Sequence, residues 1–111
     1  MKLQEREYSV DYWDQYGAGT ARIRLKHDGV LGEDSAGGVY LGHLSYNPKT
    51  DIDTIEVQMG IPSGTMLVAD GRPRTTNEKT KVIVRMESDQ LGSPIPAVLA
   101  EGPVSVVVRP I

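Results

Sequence analysis

The sequence contains no cysteine, no phenylalanine and a single tryptophan. Without cysteine the chain needs no disulfides and has no thiol nucleophile, and a cytosolic origin is the simpler expectation. Aromatic residues make up 5% of the chain, so the buried mass must come from Val, Ile, Leu, Met and Ala. No apolar run approaches the roughly 20 residues that span a bilayer as a helix. The start, Met1-Lys2-Leu3-Gln4-Glu5-Arg6-Glu7, is charged and lacks the apolar stretch of a signal peptide. The net charge is -3, with both signs spread along the chain. There is no basic stripe to track phosphates, and no acidic run to mimic DNA, so neither nucleic acid nor membrane is expected as a partner.

Glycine and proline are plentiful, at 12 and 7 residues of 111. That frequency suits one domain of many short strands joined by turns and argues against a helical bundle. The expected fold is mainly β: a small single-domain barrel of short antiparallel strands, residues 17–111, preceded by an extended N-terminal arm, residues 1–16.

Strand periodicity carries that expectation. Ala21, Ile23 and Leu25 alternate with Arg22, Arg24 and Lys26, the pattern of a half-buried strand. Ile55, Val57 and Met59 share one phase, as do Val82, Val84 and Met86, and Val104, Val106 and Val108. Asp28-Gly29 and Asn47-Pro48-Lys49-Thr50 read as turns. The stretch 31–38 (LGEDSAGG) has no period and reads as a loop. Thr65-Met66-Leu67-Val68, between Pro62-Ser63-Gly64 and Asp70-Gly71, reads as a short buried strand, with 96–108 as its expected partner.

Candidate chemistry is sparse. His27 and His43 are the only histidines, and each lies in or beside a strand. Asp51-Ile52-Asp53-Thr54 lacks the parallel α/β setting of a phosphate-transferring site and reads as a turn entering a strand. Glu33-Asp34 and Ser88-Asp89 lack calcium-loop spacing. Gly17, Gly19, Gly37 and Gly38 lack the strand–glycine–helix context of a phosphate loop. No serine sits in a nucleophile elbow. The expectation is a protein that is not an enzyme, with no cofactor and no metal. Tyr8, Tyr12, Trp13 and Tyr16 stand together in the arm. Such a segment, rich in Tyr and Trp and poor in Leu, has the composition of a docking element, although a lone tryptophan equally serves as a core plug.

Three stretches of the second half resemble the head decoration proteins of tailed bacteriophages, the capsid-stabilising cement family of the lambda type. They are Ile61-Pro62-Ser63-Gly64-Thr65-Met66-Leu67-Val68; Val82-Ile83-Val84-Arg85-Met86 with the acidic loop after it; and Ile95-Pro96-Ala97-Val98-Leu99-Ala100-Glu101-Gly102-Pro103-Val104. They span about residues 61–108, and the first half shows no such similarity. The resemblance implies a β-tulip or barrel-like module on the capsid surface, made in the host cytoplasm and often trimeric. It would clamp subunits of the major capsid protein, with 1–16 adding to capsid β-structure. The alternative is a phage-encoded, non-enzymatic binding protein that inhibits a host defence protein or sequesters a small molecule.

Overall fold

The computed structural model describes residues 2–67, 71–87 and 89–111. Its strands are β1 (Glu7–Asp14), β2 (Gly17–Lys26), β3 (Gly29–Asp34), β4 (Val39–Asn47), β5 (Ile52–Ile61), β6 (Met66–Leu67), β7 (Arg72–Pro73), β8 (Glu78–Met86), β9 (Ile95–Leu99) and β10 (Gly102–Pro110). Eight of them close an antiparallel barrel in the order β1-β2-β3-β4-β5-β8-β9-β10, with β10 returning to β1. Each barrel strand therefore pairs with its neighbour in the chain, apart from the β6–β7 excursion. Closure leaves no open sheet edge, which removes the pairing hazard of a free strand. The expected all-β, single-domain barrel is present.

The alternation read from the sequence sets which side chains point inward. Ile55, Val57, Met59 and Ile61 of β5 are buried, as are Val82, Val84 and Met86 of β8 and Val104, Val106 and Val108 of β10. Each large aliphatic side chain buried this way contributes about 1.5–3 kcal/mol. The β5–β8 register, with Val57 opposite Val82 and Ile55 opposite Val84, places them as facing pairs.

Three local expectations change. The stretch 1–16 is not an arm separate from the barrel: residues 7–14 are β1, hydrogen-bonded to β2 on one side and β10 on the other. Residues 29–34, expected within a turn and loop, form β3, because the tight turn before them is His27-Asp28 rather than Asp28-Gly29. His27 and Asp28 have φ of 51° and 61°, the positive pair that a two-residue hairpin of matching twist requires. Finally, 65–68 is not a central strand. Met66–Leu67 pairs only with Arg72–Pro73 in a hairpin outside the barrel, and β10 pairs with β1 and β9. Val68 and Asp70 of that reading lie outside the described residues.

The two barrel ends differ. At the end holding the β2–β3 and β4–β5 turns, residues 2–6 fold across the opening. Leu3 is buried there and its backbone N–H donates to Asp53 Oδ1 at 3.0 Å. Leu25 N–H donates to the Arg6 carbonyl at 3.0 Å, Ile111 N–H to the Glu7 carbonyl at 3.1 Å, and Tyr8 Oη to the Gln4 carbonyl at 2.8 Å. Asp53 and Met86 are both 0% exposed beneath this plug. The opposite end carries the β1–β2 turn, the 35–38 loop, the β6–β7 hairpin and the β9–β10 turn.

Candidate functional site: an apolar cavity with an acidic, tyrosine-lined mouth

An eight-stranded barrel is just wide enough for its side chains to fill it or for one small ligand to enter. Here the filling is incomplete. A cavity of about 120 Å³ runs from the core toward the end opposite the plug. Its inner wall is aliphatic, with Ile23, Val57, Val84, Ala97, Leu99 and Val106 among the lining residues, and its outer part reaches Tyr12, Asp34, Tyr40, Pro62 and Thr65. Two alanines, Ala21 and Ala97, stand at inward positions where larger residues would occupy this space.

The polar residues at the mouth form one cluster organised by Asp34, the last residue of β3. The carboxylate turns back onto its own loop. Oδ1 accepts the backbone N–H of Ala36 at 3.0 Å and of Gly38 at 2.7 Å. Oδ2 accepts the hydroxyl of Tyr40 at 2.6 Å, a short charge-assisted bond. Tyr12 comes to the same carboxylate from β1, beside Ser35. It has room because its register partner on β2 is Gly19, where a Cβ would stand 2.3 Å from Tyr12 Oη.

The electrostatics follow from burial beside a carboxylate. Burial pushes the Tyr40 hydroxyl far above the usual phenol range, and Asp34 pushes it further. Burial, followed by Asp34, pushes Tyr12 up to about 12, with Ser35 acting weakly in the other direction. Both phenols therefore keep their protons at neutral pH, and Tyr40 uses its proton on Asp34.

The β6–β7 hairpin lies beside this mouth. Thr65 Oγ1 donates to the Ala36 carbonyl at 3.4 Å, and Arg74 N–H donates to the Thr65 carbonyl at 3.0 Å. The Arg74 side chain is 8% exposed and pairs through Nε with Glu78 Oε2 at 2.5 Å. On the other side, the Tyr16 ring approaches Gly71, where a Cβ would meet Tyr16 Cδ1 at 2.6 Å.

The four aromatic residues of the expected docking segment part company. Tyr8 is 2% exposed and belongs to the core. Tyr12 points inward and lines the cavity. Trp13 points outward at 37% exposure, and Tyr16 sits in the β1–β2 turn, with its backbone N–H held by Asp14 Oδ1 at 2.8 Å. The two histidines do not converge. His27 is in the turn at the plugged end, its N–H donating to Glu5 Oε1 at 2.7 Å, while His43 projects from the outer face of β4, its Nε2 3.6 Å from Glu56 Oε2. Among the described residues no group of three or more His, Asp or Glu side chains is placed to hold a metal ion.

Sequence reasoning placed Tyr12 in a functional set but missed Asp34 and Tyr40. Tyr40 was visible as part of a strand, but in no regular phase. Its relation to Tyr12 becomes readable only once β3 is recognised as the strand whose last residue, Asp34, lies near both. Comparison with protein-family models, with curated proteins and with solved structures finds no match for this chain.

Proposed function

We propose that this protein is a non-enzymatic binding protein that sequesters one small, largely apolar molecule inside its barrel. The observation that carries the reading is the cavity of about 120 Å³, aliphatic within and edged by a single polar cluster at one end. A dry apolar cavity on the order of 150 Å³ suffices to bind benzene. The expected ligand is therefore built on a body of about six carbon atoms, with its polar end at Asp34, Tyr12 and Tyr40. The rigid, closed wall of strands favours binding because little order is lost when the ligand enters.

The test is thermal unfolding with rising concentrations of benzene and toluene. A ligand bound only by the folded state raises stability by about 2.7 kcal/mol at one hundred times its dissociation constant. The midpoint should climb with ligand and follow that logarithmic law. No shift with either compound up to its solubility limit would remove the reading.

The outer surface supports a second reading, the capsid-surface role that the resemblance implies. Leu31 and Leu41 are 58% and 65% exposed and lie directly opposite each other on β3 and β4, with Val39 also exposed on the same outer face. Together with Trp13, these are the apolar side chains available for docking onto subunits of a major capsid protein. Cosedimentation with expanded capsids, lost in Leu31→Ser/Leu41→Ser, would support it. Absence of cosedimentation by the wild-type chain would end it.

A further inference from the structure

The mouth cluster has a polarity that narrows the ligand class. Tyr40 spends its only hydroxyl proton on Asp34 Oδ2, and the two loop N–H groups of Ala36 and Gly38 are spent on Oδ1. The lone pairs of Tyr40 Oη remain, and Tyr12 Oη stands beside them, next to the same carboxylate. A phenol that donates to a carboxylate becomes a better acceptor, because the hydrogen bonds polarise one another. What the cluster offers a ligand is therefore acceptor oxygens backed by a negative charge, with no free donor from Tyr40.

The surroundings leave that charge for a ligand. Among the described residues, no cationic side chain pairs with Asp34. Arg74, the buried cation of the neighbouring hairpin, is engaged by Glu78 and by the Arg72 carbonyl. Two aromatic rings flank the mouth, and a ring face attracts a cation as well. Behind these groups the wall is aliphatic, so only one end of the ligand can be charged.

We infer that the site selects a small primary ammonium on an apolar body, a ring or short chain of about six carbons, with the ammonium donating to Tyr40 Oη and Tyr12 Oη in front of Asp34 and the hydrocarbon filling the cavity. This rests on the cavity-binding reading above. The same arrangement rejects carboxylates, which would bring a second negative charge against Asp34 with no donor to receive it.

Three probes of similar size separate the possibilities: benzylamine, ethylbenzene and phenylacetate, titrated calorimetrically into the wild-type protein, Asp34→Asn and Tyr40→Phe. Benzylamine should bind and phenylacetate should not. In Asp34→Asn, benzylamine affinity should fall at least tenfold while ethylbenzene affinity changes less than twofold. Tyr40→Phe keeps the carboxylate and its loop contacts and should lower benzylamine affinity severalfold. It also decides the matter if Asp34→Asn fails to fold. Added salt should weaken benzylamine and leave ethylbenzene unaffected. If ethylbenzene binds and benzylamine does not, or both respond equally to the variants, the amine inference falls and the cavity reading stands. Binding of phenylacetate as tightly as benzylamine overturns the inference too. If none of the three binds, the cavity reading itself falls.

Discussion

Replacing Ala97 by leucine should stabilise the protein and abolish ligand binding together. Ala97 is 2% exposed, faces inward on β9 between Val84 of β8 and Val104 of β10, and lines the cavity. A void of about 120 Å³ lowers stability by about 3 kcal/mol relative to a filled core, at roughly 24 cal/mol per Å³. Leucine adds three carbons, worth about 2.4 kcal/mol at roughly 0.8 kcal/mol each. Fitting a branched side chain against Val84 and Val104 returns about 1 kcal/mol of that as strain. The net gain is about 1–1.5 kcal/mol, a rise of roughly 4–8 °C in midpoint for each kcal/mol in a domain of this size. Thermal unfolding followed by circular dichroism measures the gain, and benzene titration of the same variant measures the lost site. Destabilisation by more than about 1 kcal/mol would mean that the space is not there to be filled. A stabilised variant that still binds benzene normally would place the ligand elsewhere.

Other perturbations test other parts of the molecule. Gly42 lies opposite Val57, and a Cβ there would stand 2.0 Å from the Glu56 carbonyl oxygen, so Gly42→Ala must push β4 from β5. It should destabilise by about 3 kcal/mol, the upper end of the usual overpacking range, in urea unfolding. A loss below about 0.5 kcal/mol would show that the strands are less tightly apposed. Burial holds the Asp53 carboxyl above the ordinary carboxylate range, with the Leu3 N–H and Lys2 only partly opposing it. An unfolded chain releases this proton near about pH 3.9. Between that pH and the raised folded value, the folded state keeps a proton that the unfolded state has lost. Asp53 therefore makes stability decline as pH rises through that window and level off above it. Asp53→Asn should lack this decline, and parallel wild-type and variant stability curves would contradict it. In an alkaline absorbance titration, Tyr12 should ionise near 12 and Tyr40 should stay protonated beyond it, so Tyr40→Phe should leave the ionisation below that pH unchanged. The same variant should lose about 1.5–3 kcal/mol with its bond to a carboxylate.

How much of this was legible depended on whether inward positions were filled by large apolar residues. β2, β5, β8 and the second half of β10 put Ile, Val, Leu or Met at every other residue, and their strands and phases were readable. β3 was not, because its inward positions are Val30, Gly32 and Asp34. Gly32 is there because β2 comes close: a Cβ would meet the Arg22 carbonyl oxygen at 2.5 Å. Asp34 is there because the barrel end needs a polar cluster. In β4, Val39 and Leu41 were read as sharing a face with His43, and all three do project together, but outward. The inward face holds Tyr40, Gly42 and Leu44, a set with no simple hydrophobic period. Gly17 and Gly19 read as a break, yet they begin β2, where the absence of a side chain at Gly19 admits the Tyr12 ring. Each of these misreadings arose where a strand departs from filling the core, and most of them cluster at the cavity mouth. Local periodicity carries no information about which strands meet there, so Tyr12, Asp34 and Tyr40 could not be joined before the barrel was closed.

The most direct measurement is a methyl carbon–proton correlation spectrum recorded during titration with benzene. If the ligand enters the barrel, saturable shifts will fall on inward methyls such as Val57, Val84, Val106 and Ile23, with Leu31 and Leu41 on the outer face unmoved. Shifts confined to Leu31, Val39 and Leu41, or no saturable shift at all, would contradict the cavity as the functional site.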